Sequence, residues 1–258
     1  MKDDERLLRA DANYAASMRV MTGLGAGTEC RDLRGLFLAA TGRPVAWLNM
    51  ALIVRPLPEP EAQLREACAF YDERGLPFIV RVRGGLDPAS EVAAAALGMP
   101  YSDTVPGMIL EPIGRVPAAP EGVEVRVVGD EEELRAWDGV VRQSFGLPAE
   151  FEGFFGPWLV GVPDTRLYLA YVDGEVAATS MLMATDRVAG VYCVATLDAY
   201  RRRGLGEAMT WRAMGDGAEM GCLFGYLQAS EMGKPVYERM GFREVIDYRT
   251  FVRPASKS

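Results

Sequence analysis

An apolar run, Val191-Tyr192-Cys193-Val194-Ala195-Thr196, leads through a short connection into Arg201-Arg202-Arg203-Gly204-Leu205-Gly206-Glu207. The first block reads as a buried strand, because β-branched and aromatic residues fit a pleated core. The second reads as a strand-to-helix turn, with a helix opening at Leu205. Glycine has no Cβ, so the backbone at Gly204 and Gly206 lets N–H groups approach a ligand closely. The opening N–H groups of a helix have no internal acceptor and carry partial positive charge. With the guanidinium groups beside them they form a seat for phosphate or pyrophosphate. The stretch lacks the Gly-x-Gly-x-x-Gly of a dinucleotide fold and the Gly-Lys-Ser/Thr of a nucleotide P-loop, and a Gly-x-Gly after a basic run also occurs in ordinary turns.

Composition narrows the chemistry further. The 258 residues contain no histidine, which excludes Ser-His-Asp and Cys-His nucleophiles and the common histidine-ligated metals. No metal is expected. Cys30, Cys68, Cys193 and Cys222 are scattered without a Cys-x-x-Cys, so buried thiols in a reducing cytoplasm are expected. The formal charge of −8 argues against nucleic acid and anionic membranes as partners, and mildly favours a cationic amine as substrate. With 49% hydrophobic and 25% charged residues the composition is that of a globular protein. No apolar run approaches the ~20 residues needed to span a bilayer. The opening Met1-Lys2-Asp3-Asp4-Glu5-Arg6 lacks the apolar core of a signal peptide.

The elements that position the motif follow from periodicity and punctuation. Apolar positions from Leu7 to Met21 predict a helix over Asp4 to Leu24, and Leu33, Leu36, Phe37 and Ala40 predict a second, stopped by Gly42 and Pro44. Strands are expected at Ala46 to Val54, Pro77 to Val82 and Val105 to Leu110, the last at an edge because of Pro106. Between them lie helices opening at Glu61 and spanning Ala89 to Leu97, the latter capped by Gly98. Gly114 to Gly122 has linker composition and sets domains at 1–115 and 123–255. The second half begins with a strand at Val123 to Val128 and a helix over Glu131 to Phe145, N-capped by Asp130. A weaker helical piece is expected at Phe151 to Val160. Asp173-Gly174 joins strands Arg166 to Val172 and Glu175 to Met183 in a tight hairpin. After the glycine loop come a helix over Glu207 to Glu219, a strand from Cys222 to Leu227, a short helix over Pro235 to Met240 and a strand from Glu244 to Val252.

The glycine loop resembles the Arg/Gln-x-x-Gly-x-Gly/Ala loop of the GNAT superfamily of acyl-CoA-dependent N-acyltransferases, with Arg201, Gly204 and Gly206 at its defining positions. Downstream, Tyr237-Glu238-Arg239-Met240-Gly241-Phe242 is similar to the family's Tyr-x-x-x-Gly-Phe segment. The resemblance covers about the C-terminal half. It implies an α+β (mixed α/β) fold, a mixed and largely antiparallel sheet flanked by helices. The strand-helix-strand-helix-strand order from Ala46 to Leu110 parallels Val191 to Val252, so the N-terminal half reads as a partial degenerate copy. Leu97-Gly98-Met99 matches Met240-Gly241-Phe242 there, Ala94 falls where Tyr237 stands, and the strand-to-helix connection has prolines and no glycine. Unrelated α/β units also show this order.

The resemblance further implies acetyl-CoA as cosubstrate, held between splayed strands. The backbone of Val194, Ala195 and Thr196 would face the acyl group and pantetheine, with the Val194 N–H serving also as an oxyanion donor. The backbone of Arg202, Arg203, Gly204, Leu205, Gly206 and Glu207 would wrap the pyrophosphate, the Arg201 and Arg203 side chains contacting phosphate or facing solvent. Tyr237 stands at the general-acid position, against core packing as the plain alternative. Ser230 stands where Asn is usual, to bond the pantetheine arm, and Gly233 where Ala is usual. No general base is named: the position that carries a carboxylate in some members is Gly190, and Glu150, Glu152, Asp186 and Glu231 read as surface charges. The expected activity is acetyl transfer to a primary amine of a small molecule or peptide. The alternative is a non-catalytic acyl-CoA-binding sensor or structural module. A homodimer is left open. Helices from Glu131 to Val160 and the hairpin near Ala184 to Gly190 would shape the acceptor pocket, with Phe151, Phe154, Phe155 and Trp158 as an apolar wall or as core.

Overall fold

The computed structural model describes residues 3–23 and 27–255, in two compact units: Met1–Gly107 with Glu244–Ser258, and Met108–Arg243. The division falls in a strand at Gly107/Met108, ahead of the Gly114 to Gly122 linker, and the last strand belongs to the first unit.

In the first unit, helix α1 (Asp3–Thr22) is followed by strands β1 (Glu29–Leu33) and β2 (Leu36–Ala40). The helix expected over Leu33 to Ala40 is therefore this hairpin, and Leu24, its neighbour's expected end, lies outside the described residues. Leu36 to Ala40 is an unbroken apolar block in which every residue is buried, a pattern that spacing alone cannot assign to helix or strand. The turn decides it: Arg34 and Gly35 have φ of 36° and 102°, and a Cβ on Gly35 would lie 3.1 Å from the Arg55 carbonyl oxygen. Then come β3 (Met50–Ile53), α2 (Pro60–Asp72), β4 (Phe78–Arg83), α3 (Pro88–Ala96) and β5 (Tyr101–Leu110). The helices α2 and α3 start at prolines, whose fixed φ suits a first helical position. Strand order in this unit is β1-β2-β3-β4-β11-β5, where β11 (Arg243–Arg253) is the end of the chain. β5 passes into the second unit and pairs in each, so Pro106 does not mark an edge strand. One sheet face packs Leu64, Phe70, Tyr71 and Ala94 against Leu38, Ile53, Val80 and Phe251.

The second unit contains β6 (Val123–Val127), α4 (Glu131–Ser144), β7 (Thr165–Val172), β8 (Glu175–Thr185), β9 (Val188–Thr196), α5 (Leu205–Glu219), β10 (Phe224–Gln228) and α6 (Lys234–Arg239). Asp130 caps α4, its Oδ1 accepting from the N–H groups of Glu132 and Glu133 at 2.9 Å each. Asp173 and Gly174, both at positive φ, turn β7 into β8 as expected for a tight hairpin. The expected helical piece at Phe151 to Val160 is two single 3-10 turns, Ala149–Phe151 and Pro157–Leu159, because Gly153, Gly156 and Pro157 interrupt it. Strand order is β5-β10-β9-β8-β7-β6, with β5 contributing its end. The fold is mixed α/β with a largely antiparallel sheet flanked by helices.

The two units repeat one plan. β2 and β3 are antiparallel and β3 and β4 parallel, just as β8 and β9 are antiparallel and β9 and β10 parallel. Leu52 opposite Arg81 holds the place of Gly190 opposite Tyr226.

Candidate active site

The ladder between β9 and β10 covers Val188 to Gly190 against Phe224 to Tyr226, while the strands continue to Thr196 and Gln228. Beyond Gly190 the two splay. A β-bulge contributes: Met181 lies opposite Tyr192 and Thr179 opposite Ala195, so Cys193 and Val194 together face Ser180. Cys193 takes the left-handed conformation (φ 50°), and its carbonyl accepts from Thr179 Oγ1 at 2.9 Å. The bulge turns β9 away from β10 without breaking its pairing to β8. Burial pushes the Cys193 thiol up to about 12, so it stays a thiol at neutral pH.

The splay opens a cleft of about 700 Å³. Val194, Ala195 and Thr196 form one wall, and Arg201, Arg202 and Gly204 to Glu207 form its floor. Ser230 and Tyr237 face them from the β10–α6 segment. These include every site residue expected from the sequence except Arg203. The Arg203 guanidinium turns back on its own loop, toward the Ala199 carbonyl and over the Tyr200 ring. Arg201 is also drawn to its loop, donating to the Thr196 carbonyl at 3.3 Å and pairing with Asp198 at 2.8 Å.

Gly204, with φ 77°, is the N-cap of helix α5, and the first helical bond runs from the Ala208 N–H to the Gly204 carbonyl. The N–H groups of Leu205, Gly206 and Glu207 thus have no helical acceptor and point out of the first turn into the cleft floor. A Cβ on Gly206 would come no nearer than 3.9 Å to Val194 Cγ1, so its smallness is not required by the protein's own packing. That spare room, with the orphan donors, fits an anion seated against backbone.

Tyr237 is buried on the short helix α6, edge-on to Phe242 at 5.8 Å between ring centroids. Burial pushes its phenol up to about 12, and a hydrogen bond with Thr210 of α5 offsets part of that rise. The phenol therefore carries its proton throughout the neutral range. Ser230 Oγ accepts the Gly233 N–H at 3.1 Å, which ties down the turn that delivers α6. A Cβ at Gly233 would meet Tyr237 Cε2 at 3.0 Å, so the glycine lets the ring lie against that turn. The carboxylates Glu150, Glu152, Asp186 and Glu231 do not line the cleft, and Glu207 does.

Sequence reading missed five contributors to the cleft lining, Ser144, Phe145, Met232, Val236 and Arg239. Phe145 and Met232 are exposed apolar residues, the signal that would have found them had burial been known. Phe151, Phe154 and Phe155 are buried, and Trp137 packs edge-on against Phe155, so these phenylalanines are core rather than cleft wall. No helix among the described residues is long and apolar enough to cross a membrane.

Residues 163–244 match the family model of the acetyltransferase (GNAT) domain. No curated protein matches the chain in sequence. Among solved structures, a GCN5-related N-acetyltransferase from Kribbella flavida is similar at 22% identity and TM-score 0.73, over 96% of each chain. One from Sphaerobacter thermophilus gives 15% identity and TM-score 0.63, over 99% of this chain and 93% of its own. A tandem GNAT protein from the clavulanic acid biosynthesis pathway gives 17% identity and TM-score 0.62, over 96% of each. At these identities the likeness is one of fold, and it extends over both units.

Proposed function

We propose that this chain, whose residues 163–244 match the acetyltransferase (GNAT) domain, moves an acetyl group from acetyl-CoA to a primary amine of a small molecule or peptide. The observation that carries the reading is the splay after Gly190, which leaves the Val194–Thr196 backbone and the unpaired start of α5 lining one cleft opposite Tyr237. Where the strands part, the ladder hydrogen bonds they give up are left for water or a ligand to supply.

In this reading the backbone of Leu205, Gly206 and Glu207 holds the pyrophosphate, and Val194 to Thr196 pair with the pantetheine arm as an added strand would. The Val194 N–H donates to the thioester carbonyl and more strongly to the oxyanion that forms on it. The neutral amine nitrogen attacks the carbonyl carbon and the C–S bond breaks. Tyr237 gives its proton to the departing sulfur, while the amine's surplus proton leaves through water. Arg201 serves mainly to brace the loop, as its bonds to Thr196 and Asp198 suggest.

Calorimetry with acetyl-CoA, followed by thiol release against a panel of amines, tests the proposal. Binding with amine-dependent thiol release is expected. Binding without release from any amine would favour an acyl-CoA-binding module, and absence of binding would remove both readings.

A further inference from the structure

We propose that Gln228 recognises the acceptor, its carboxamide hydrogen-bonding an oxygen that the substrate carries close to its reacting amine. This rests on the transferase reading above and narrows it to a class of amine.

The repeat between the units locates the residue. Leu52 opposite Arg81 corresponds to Gly190 opposite Tyr226, so two residues further on Arg83 of β4 and Gln228 of β10 occupy the same place. The cores agree with this register. Val80 and Val82 face the core under α2 and α3, and Leu227 and Ala229 face the core under α5 and α6. Alternation then sends Arg83 and Gln228 to the opposite face of their strands. In the first unit that face carries α1, and the side chains there close the position themselves. Arg83 donates from Nε and Nη2 to Asp87 at 2.7 and 3.0 Å, and from Nη1 toward Asp11 at 3.4 Å and the Val54 carbonyl at 3.5 Å.

In the second unit no hydrogen bond among the described residues closes it. The Nε2 atom of Gln228 is buried and has no hydrogen-bond partner among the described residues. Ser144 Oγ, at the end of α4 and in the cleft wall, is buried and unpartnered as well. Folded chains leave few such groups unmade, because a buried donor without an acceptor costs free energy that water would have supplied. Gln228 stands two residues before Ser230, which lines the cleft. Gln228 is not itself in the cleft lining, but alternation puts it on the strand face of Ser230, which is, and its unpaired donor and that of Ser144 call for an oxygen acceptor on the ligand. Phe145 and Met232, exposed in the same wall, supply apolar contact further out. The acceptor these features fit is an α-amino carbonyl compound with an apolar side chain, such as an amino-acid amide or a peptide N-terminus.

The experiment compares kcat/KM, referred in each case to the neutral amine by measuring across pH, for L-phenylalaninamide and phenethylamine, which share the ring and differ in the carboxamide. The wild-type protein should prefer the amide by about tenfold or more, the discrimination a buried hydrogen bond supplies. Gln228→Met, similar in size, should bring the two within about twofold while acetyl-CoA affinity by calorimetry stays at the wild-type value. Gln228→Glu, the second variant, should turn against L-phenylalanine, whose carboxylate it repels, relative to L-phenylalaninamide. Equal use of both amines by the wild-type protein, or a preference that survives in Gln228→Met, overturns the inference. Acetyl-CoA binding with no thiol release from any amine overturns the transferase reading instead, and this inference with it.

Discussion

Gly233→Ala tests whether the position of the Tyr237 ring matters to the chemistry. Gly233 has φ −81° and ψ −31°, ordinary helical values that alanine adopts without strain. On backbone entropy alone the substitution stabilises the chain by roughly 0.4–1 kcal/mol. The new methyl group, however, lies 3.0 Å from Tyr237 Cε2 and 3.1 Å from Ser230 Oγ, where ordinary contact begins at 3.4 Å. Relief requires a shift of about 0.4 Å, and the aromatic ring, wedged against Phe242, has no flexible end to absorb it. The entropic stabilisation and the packing strain incurred nearly cancel, so the melting temperature should stay within about 3 °C of wild type. Catalysis should not escape. A misplacement of 1 Å costs about a hundredfold, so a shift of a few tenths should lower kcat roughly five- to tenfold. Acetyl-CoA affinity, which in the proposed mode is set mainly at the α5 end of the cleft, should change less than kcat. Removing the second obstacle in the double variant Ser230→Ala/Gly233→Ala should restore part of the loss. Steady-state thiol release and a thermal melt measure both quantities. Wild-type kcat at an unchanged melting temperature would refute the reasoning, since it would mean that the ring need not sit where the glycine allows it.

Tyr237→Phe should lower kcat about a hundredfold with little change in acetyl-CoA affinity. Because burial holds the phenol near 12, the wild-type rate should show no alkaline loss from this group below about pH 11; an alkaline limb in that range that disappears in the phenylalanine variant would contradict the assignment. Gly206→Ala should fold normally, its Cβ meeting nothing closer than 3.9 Å, yet weaken acetyl-CoA about tenfold or more by calorimetry. Gly204→Ala, forced to φ 77°, should in addition cost about 1–2 kcal/mol of stability, and equal melting temperatures for the two variants would refute the distinction. Asp11 is fully buried, and burial raises its carboxyl from 3.8 to about 7. The folded chain then keeps a proton that the unfolded chain releases above about pH 4, so this group's contribution to stability falls as pH rises from about 4 to 7. Asp11→Asn should flatten that slope in melts across pH, and parallel curves for the two proteins would sink the argument.

Much of the second unit was legible because its signals are local. Asp130 caps, Asp173-Gly174 turns, and the glycine loop opens a helix, each by chemistry contained in a few adjacent residues. The cleft residues followed from the same loop and the Tyr237 segment. What sequence did not reveal depends on distant partners. Leu36 to Ala40 is a strand because Met50 to Ile53 pairs with it, and nothing within the block itself says so. Ser144 and Phe145 reach the cleft through the packing of α4, whose amphipathic pattern shows a buried stripe but not what lies beyond its end. The exchange that gives β11 to the first unit is a matter of pairing partners, and its alternating residues would read the same beside either sheet.

The first unit repeats the plan of the second, but the features proposed above to hold acetyl-CoA are not repeated in it. Helix α2, which corresponds to α5, opens at Pro60, which has no N–H to offer an anion. The Gln63 side chain turns back to accept the Glu59 N–H at 3.2 Å, so another donor is spent internally. Glu59 and Glu61 add negative charge where a pyrophosphate would sit. At the end of β3, the Arg83 guanidinium reaches the Val54 carbonyl and is held by Asp87, filling the place a ligand would need. Even the inner wall is sewn shut, for the Tyr71 hydroxyl donates to the Met50 carbonyl at 2.7 Å and accepts the Ala39 N–H at 3.2 Å, bridging β2 and β3. A titration should therefore reach saturation at one acetyl-CoA per chain, and Gly206→Ala should weaken the whole isotherm without leaving a tight residual component. A stoichiometry of two, or a second phase untouched by Gly206→Ala, would mean that the first unit keeps a working cleft despite Pro60 and Arg83.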